Sequence, residues 1–237
     1  MSQRPLLVAD LGRRSYGGVL ELQRRLCRAR QSGALAEDLL LLVEHEPVVT
    51  LGRGTKDTSL PLPADALRAR GVEVFEVERG GDVTYHGPGQ LVGYPILDLS
   101  QHRQDLHWYL RSVEAALIEA LAAFGIEAER NPGLTGVWTA GRKIASIGIH
   151  VKQWVTFHGF ALNVTTDLSP FDLIIPCGIP GVVMTSVVRE LGDRAPADPP
   201  GEVRREVIAA FGRVFDRAPR PAEPHEWELS AEETAPA

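Results

Sequence analysis

The chain has only two cysteines among 237 residues, 150 positions apart, a spacing that offers no disulfide framework. Long apolar runs are missing too. The longest uninterrupted aliphatic stretch, Leu39 to Val43, is far too short to span a bilayer. The opening Met1-Ser2-Gln3-Arg4-Pro5 lacks the apolar core of a signal peptide. These absences point to the cytoplasm and away from a membrane. Nor is there a surplus of positive charge. Net charge is −6; residues 221–237 hold five glutamates and no Lys or Arg, and residues 1–220 set 25 basic against 26 acidic side chains. A dedicated nucleic-acid binder would be clearly basic. No Gly-x-x-x-x-Gly-Lys-Ser/Thr loop and no strand-coupled Gly-x-Gly-x-x-Gly occurs, so the usual nucleotide cradles are absent. The histidines at 45, 102, 107, 150, 158 and 225 show no zinc-like spacing, and no metal is expected.

What is present is 44% hydrophobic residues, enough to bury a core without staples. Periodicity predicts strands at 6–9, 39–45, 48–51, 72–77 and 90–97, and three antiparallel strands at 137–140, 143–152 and 155–163. Those last three are joined by turns at Gly141-Arg142 and Gln153-Trp154. Helices are predicted at 16–30, 63–70, 105–124 and 204–217. The third carries Leu106, Leu110, Val113, Leu117, Leu121 and Phe124 on one stripe. Strands and helices mix without strict alternation, which predicts a single α/β (α+β) domain over 1–218 with much antiparallel pairing. From Pro219 on, proline, alanine and glutamate dominate, and 219–237 reads as a flexible acidic tail.

The densest chemistry is the run Arg79-Gly80-Gly81-Asp82-Val83-Thr84-Tyr85-His86-Gly87-Pro88-Gly89-Gln90. Two residues would suffice to turn between strands, so a loop with five glycines or prolines suits ligand contact through exposed amides. Cys177, in Pro176-Cys177-Gly178, follows a proline-fixed bend and precedes a glycine, which suits an approachable nucleophile. Most free cysteines are buried hydrophobes, and Cys27, on the apolar side of the first helix, fits that reading. A thiol needs a nearby cation to become thiolate. Lys143 is the candidate: strict alternation would set it on one face with Ala145, Ile147 and Ile149. Ser146-Ile147-Gly148 and Gly159-Phe160-Ala161 put small residues on adjacent strands, leaving room for a ligand. His86 suits a general base, an orienting group or a loop contact.

Together these segments resemble the octanoyltransferases of lipoate biosynthesis over roughly residues 6–215. The Arg79–Gln90 run continuing to Tyr94, then Lys143 to Gly148, then Pro176-Cys177-Gly178 follow that family's order and spacing. The resemblance implies the α/β catalytic fold of the biotin and lipoate protein ligases. It implies transfer of octanoyl from acyl carrier protein to a lysine of lipoyl domains, in 2-oxoacid dehydrogenase E2 subunits and glycine cleavage H protein. By that resemblance Cys177 is the nucleophile and forms an acyl-thioester, while Lys143 lowers its pKa. Arg79, Gly80, Gly81, Asp82, Val83, Thr84, Tyr85, His86, Ser146, Ile147, Gly148, Gly159, Phe160 and Ala161 line the acyl site. No ATP or other cofactor is needed, since a thioester donor drives amide formation, and the family suggests a monomer. In deacylation Lys143 is expected to serve as base, with His86 organising the loop. Arg13, Arg14, Arg24, Arg25, Arg28 and Arg30 offer a docking face for the acidic carrier. Rival readings are an ATP-dependent lipoate or biotin ligase on the same fold, in which Cys177 is superfluous, and a non-catalytic acyl-binding or lipoyl-domain-binding module.

Overall fold

The computed structural model describes residues 3–178 and 181–227. In chain order the first half comprises β1 (Arg4–Arg14), α1 (Tyr16–Ser32), β2 (Asp38–His45), β3 (Val48–Leu51), α2 (Ala64–Arg68), β4 (Glu73–Glu76), β5 (Val83–His86) and β6 (Gln90–Ile96). The second half comprises α3 (Leu106–Ala122), β7 (Val137–Thr139), β8 (Arg142–Lys152), β9 (Val155–Asn163), α4 (Val187–Leu191), α5 (Pro199–Val214), β10 (Arg217–Pro221) and α6 (Pro224–Trp227). Seven strands form a mixed sheet in the order β10-β1-β2-β6-β9-β8-β7, and three form a smaller sheet, β4-β3-β5. Pairing is parallel from β10 through β2 and antiparallel from β2 to β7.

Both faces of the large sheet are covered at its centre. Leu40, Leu42, Phe160 and Leu162 pack on one side with Val113 and Leu117 of α3 and Val207 and Phe211 of α5. Leu39, Leu41, Val92, Tyr94 and Ala161 face the other side with Val19 and Leu26 of α1. Burial on both sides explains why β2 reads as unbroken leucine rather than as an alternation. On α3 the buried line is Tyr109, Val113, Ala116, Leu117, Ala120 and Leu121, whereas Leu106 is 47% exposed and Phe124 lies past the last turn. The apolar stripe therefore starts one turn later than the leucine spacing suggests. The hairpin from β7 to β8 turns at Ala140 and Gly141, both at positive φ, one residue before the expected position. The β8–β9 hairpin turns at Gln153-Trp154, also both at positive φ, as expected.

The carboxyl-terminal segment differs from its composition. Arg217–Pro221 pairs in parallel with Arg4–Val8 at the sheet edge, where proline's missing N–H costs no interior hydrogen bond. Arg217 anchors it, its Nε donating to the buried carboxylate of Asp38 at 3.0 Å. Trp227 of α6 then packs against the α1 side of the core. Order thus extends past the predicted boundary at 218, and the rest of the predicted tail, 228–237, lies outside the described residues.

Candidate active site

Between the two sheets lies a cavity of about 290 Å³, at the small end of the range for small-ligand sites. Its floor is a row of side chains in register across three strands: Ser146 on β8, Ala161 on β9 and Val92 on β6. Beside that row Gly148 and Gly159 face each other as bare backbone. The roof is the 79–84 segment leading into β5, and Tyr16, Tyr94 and His86 add aromatic walls.

Arg79 builds the roof. Its Nη2 donates to the Thr50 carbonyl at 2.7 Å and hydroxyl at 2.8 Å, and its Nη1 donates to the Asp82 carbonyl at 2.7 Å. The Gly80 amide donates to the Ile149 carbonyl at 2.9 Å, so the roof is tied to the floor strand as well. These bonds preset the loop before any ligand arrives.

His86 is fixed by a chain of neutral groups. Its Nδ1–H donates to Gln90 Oε1 at 2.8 Å; Gln90 Nε2 donates to Asn163 Oδ1 at 2.9 Å and to the Tyr85 carbonyl at 3.2 Å. Asn163 Nδ2 donates to the Thr185 carbonyl at 3.0 Å, and the Thr185 amide donates to the Lys143 carbonyl at 2.9 Å. Burial pushes His86 down to about 3, so the ring is neutral with Nε2 unprotonated. Beneath it, His45 Nδ1 donates to the Arg14 carbonyl, which leaves Nε2 to accept from the Tyr94 hydroxyl at 2.8 Å. Burial lowers His45 to about 4.

Lys143 reaches the cavity through a bulge. Val137 pairs with Ala145 and Trp138 with Lys143, so β8 carries an extra residue, Ile144, at that point. Ala145 and Ile147 pack in the α3–α5 core, while Lys143 borders the cavity with Ser146 and Gly148. Strict alternation would have placed Lys143 with Ala145; the bulge re-aims it. Lys143 is 1% exposed, and its Nζ sits 5.4 Å from the centre of the Trp138 ring. The main chain at Gly136 lies against its Cε. Glu114 of α3, fully buried, accepts the Gly136 amide at 3.2 Å and pairs with Arg111 and Arg130. A carboxylate on α3 thus holds the 133–136 loop over the lysine.

Cys177 occupies the turn Pro176–Gly178; its side chain lies outside the described residues. The turn's placement is nonetheless determined by its neighbours. The Ile175 amide donates to the Ser59 carbonyl at 2.9 Å, and the Ser59 hydroxyl donates to Asp82 Oδ2 at 2.7 Å. Gly178 has φ +64 and lies so close to the Asp82 carboxylate that a Cβ would collide with it. Downstream, the Lys143 amide donates to the Val183 carbonyl at 2.8 Å. The turn is therefore fastened to the roof on one side, and the chain leaving it is fastened to Lys143 on the other.

Residues 15–212 match the lipoyl protein ligase A/B catalytic domain. An octanoyltransferase of Solibacter usitatus is 49% identical over 213 residues, covering 90% of this chain and 94% of its own length. The chain belongs to the octanoyltransferase family. A second octanoyltransferase, of Gloeobacter violaceus, is 50% identical over 209 residues, 88% of this chain and 90% of its own. A crystal structure of lipoate-protein ligase A bound with ATP shares the fold, with a TM-score of 0.71 at 16% identity over 98% of this chain and 91% of that one. Octanoyltransferases are acyltransferases of lipoate biosynthesis, and this enzyme is one.

In this octanoyltransferase Arg79, Gly81, Asp82, Val83, Thr84, His86, Lys143, Ser146, Ile147, Gly148, Gly159, Phe160 and Ala161 border the cavity. Gly80 and Tyr85 do not. Tyr85 points into the small-sheet core, edge-on to Phe171, because alternation on β5 sends it opposite to Thr84 and His86. Phe160 stacks on Phe211 beneath the sheet, so it offers backbone rather than ring to the wall. Cys27 packs under α1, where burial pushes its thiol up to about 11. The arginine run on and before the first helix is not one face: Arg30 is buried against Asp38, Arg24 is bound to Glu78 and Glu21, and Arg13, at the end of β1, to Glu44. Sequence reasoning missed Glu114, Asn163, Ser59 and the 133–135 loop. Only Gln90, the last residue of the glycine-rich run, carried a signal.

Proposed function

We propose that the enzyme takes an octanoyl group from acyl carrier protein onto Cys177 and passes it to a lysine of lipoyl domains. The observation that carries this reading is the fastening of the Cys177 turn to the cavity roof through Ser59 and Asp82, with Lys143 bordering the same cavity and bonded to the Val183 carbonyl farther along the chain. In this reading Lys143 is the cation that favours the Cys177 thiolate, which attacks the donor thioester carbonyl. The carbon–sulfur bond to the carrier breaks, and Lys143 returns a proton to the departing carrier thiolate. Neutral Lys143 then takes a proton from the acceptor ammonium. The amine attacks the Cys177 thioester, its second proton goes to the leaving thiolate, Lys143 releases its surplus proton to solvent, and the amide product is lower in energy than either thioester. No nucleotide or metal is required in this cycle. Glycine-rich backbone amides of the roof stabilise the oxyanion, each such donor being worth roughly 3 kcal/mol.

The acceptors are the lipoyl domains of 2-oxoacid dehydrogenase E2 subunits and glycine cleavage H protein, and the enzyme works as a cytoplasmic monomer. For docking of the acidic carrier, a groove bordered by Arg28, Arg53, His150 and Lys152, next to the Arg79 loop, suits better than the whole first-helix run. The test is intact mass after incubation with octanoyl-acyl carrier protein, without acceptor or ATP. A hydroxylamine-labile octanoyl adduct is expected, absent from Cys177→Ser as a thioester and discharged by a lipoyl domain. Active protein without an adduct would point to direct transfer or to the ATP-dependent ligase reaction.

A further inference from the structure

We infer that the enzyme measures acyl length by counting strands, with Val92 as the end stop. This rests on the reading of the cavity as the acyl site. The three floor side chains lie on neighbouring strands in one register: Ser146 with Ala161, and Ala161 with Val92. Two strand spacings of about 4.8 Å separate Ser146 from Val92, roughly 10 Å in all. An eight-carbon chain, seven zigzag bonds of about 1.5 Å, reaches about 9 Å. Lys143 is on β8, so the reacting end belongs at the Ser146 side and the terminal methyl at Val92.

The row is widest in the middle and narrowest at its far end. Its side chains run hydroxymethyl, methyl, isopropyl, so space opens over Ala161 and closes at Val92. Beyond Val92 the next residue in register is Val43 on β2, buried in the core under α1. Tyr94, two residues along β6, closes the flank, and its bond to His45 Nε2 keeps the ring from swinging aside. A ninth or tenth carbon therefore meets packed core rather than solvent.

The experiment compares kcat/KM for acyl carrier protein loaded with butanoyl through dodecanoyl chains, with a thermal melt of each variant. Val92→Ala is expected to raise the decanoyl-to-octanoyl ratio by at least about tenfold, the scale on which pockets discriminate a methylene. Ala161→Leu is expected to lower the octanoyl-to-hexanoyl ratio by a similar factor. Val92→Thr keeps the shape but sets a hydroxyl at the chain end, so octanoyl should suffer and hexanoyl should not. Unshifted ratios in folded Val92→Ala and Val92→Thr overturn the end stop. If Ala161→Leu cuts octanoyl transfer while those ratios hold, the acyl-site reading stands and only the ruler fails. If Ala161→Leu transfers octanoyl at the wild-type rate, the chain lies elsewhere and the acyl-site reading falls with it.

Discussion

Two clusters of buried polar side chains stand in contrast. Around Asp38 the cluster is ionic: the guanidiniums of Arg30 at 3.2 Å and Arg217 at 3.0 Å address one carboxylate, with the His102 ring at 2.6 Å and the Asp98 amide beside them. Around His86 the bonded partners are neutral: imidazole, two side-chain amides and backbone carbonyls run from the cavity wall to the Lys143 strand. The first cluster joins α1, β2, β10 and the segment before α3, and none of its residues borders the cavity. The second borders the cavity, whose roof already holds the buried guanidinium of Arg79. Its neutral amides orient His86 without adding a further charge there.

Breaking the ionic cluster should have the largest effect. Asp38→Ala strands two guanidiniums without a counter-charge, at a cost of about 3–5 kcal/mol. Urea unfolding should register that loss, while kcat per folded molecule stays at the wild-type value. Gln90→Leu attacks the other cluster, leaving the His86 Nδ1–H and the Asn163 amide oxygen unsatisfied at about 1–3 kcal/mol. Here the expected signature is reversed: a modest loss of stability with a fall of about tenfold or more in kcat/KM. Equal losses of stability with unchanged turnover in both variants would erase the distinction.

The smallest effect is in pH dependence. His86 and His45 hold folded values of about 3 and about 4 against an ordinary 6.5. Between those limits the unfolded chain binds the more protons, so stability falls as pH drops from 6.5 toward 4. In Asp38, burial alone would raise the carboxyl, but the His102 hydrogen bond and Arg30 outweigh it and hold it below 3.8. Its contribution is therefore present above that pH and is lost only as pH falls further. Melting temperatures between pH 7 and 5 should decline in the wild type, and less steeply in His45→Gln. An unchanged slope in that variant would assign the decline to other groups.

Much of the fold was legible because its signals are local. Leucines in β2, the turn at Gln153-Trp154 and the glycine-rich run before β6 each declare themselves within a few residues. The errors arise where a distant partner decides. Arg30 reads as a surface cation until Asp38 and the Leu35 carbonyl accept from it. Pro219 and Pro221 read as tail, yet an edge strand takes them once β1 is there to pair. Glu114 sits in the middle of an amphipathic helix, and its burial is explained by the Gly136 amide together with Arg111 and Arg130. Alternation sets Lys143 with Ala145, whereas the structure places it on the cavity side, because a bulge leaves no mark in a single strand's alternation.

That bulge makes the β7–β8 segment sensitive to register. Lys143 and Ala145 stand two positions apart, and an unbulged strand would turn both toward the α3–α5 core; with Ile144 bulged, Val137 and Trp138 take Ala145 and Lys143 as partners and the lysine borders the cavity. Removing Ile144 would leave Lys143 next to Ala145 and still opposite to it, whereas keeping every residue and pairing Trp138 with Ile144 would carry the lysine into the core. The face that Lys143 takes is therefore decided by how β7 registers on β8, a property of two strands that neither carries alone.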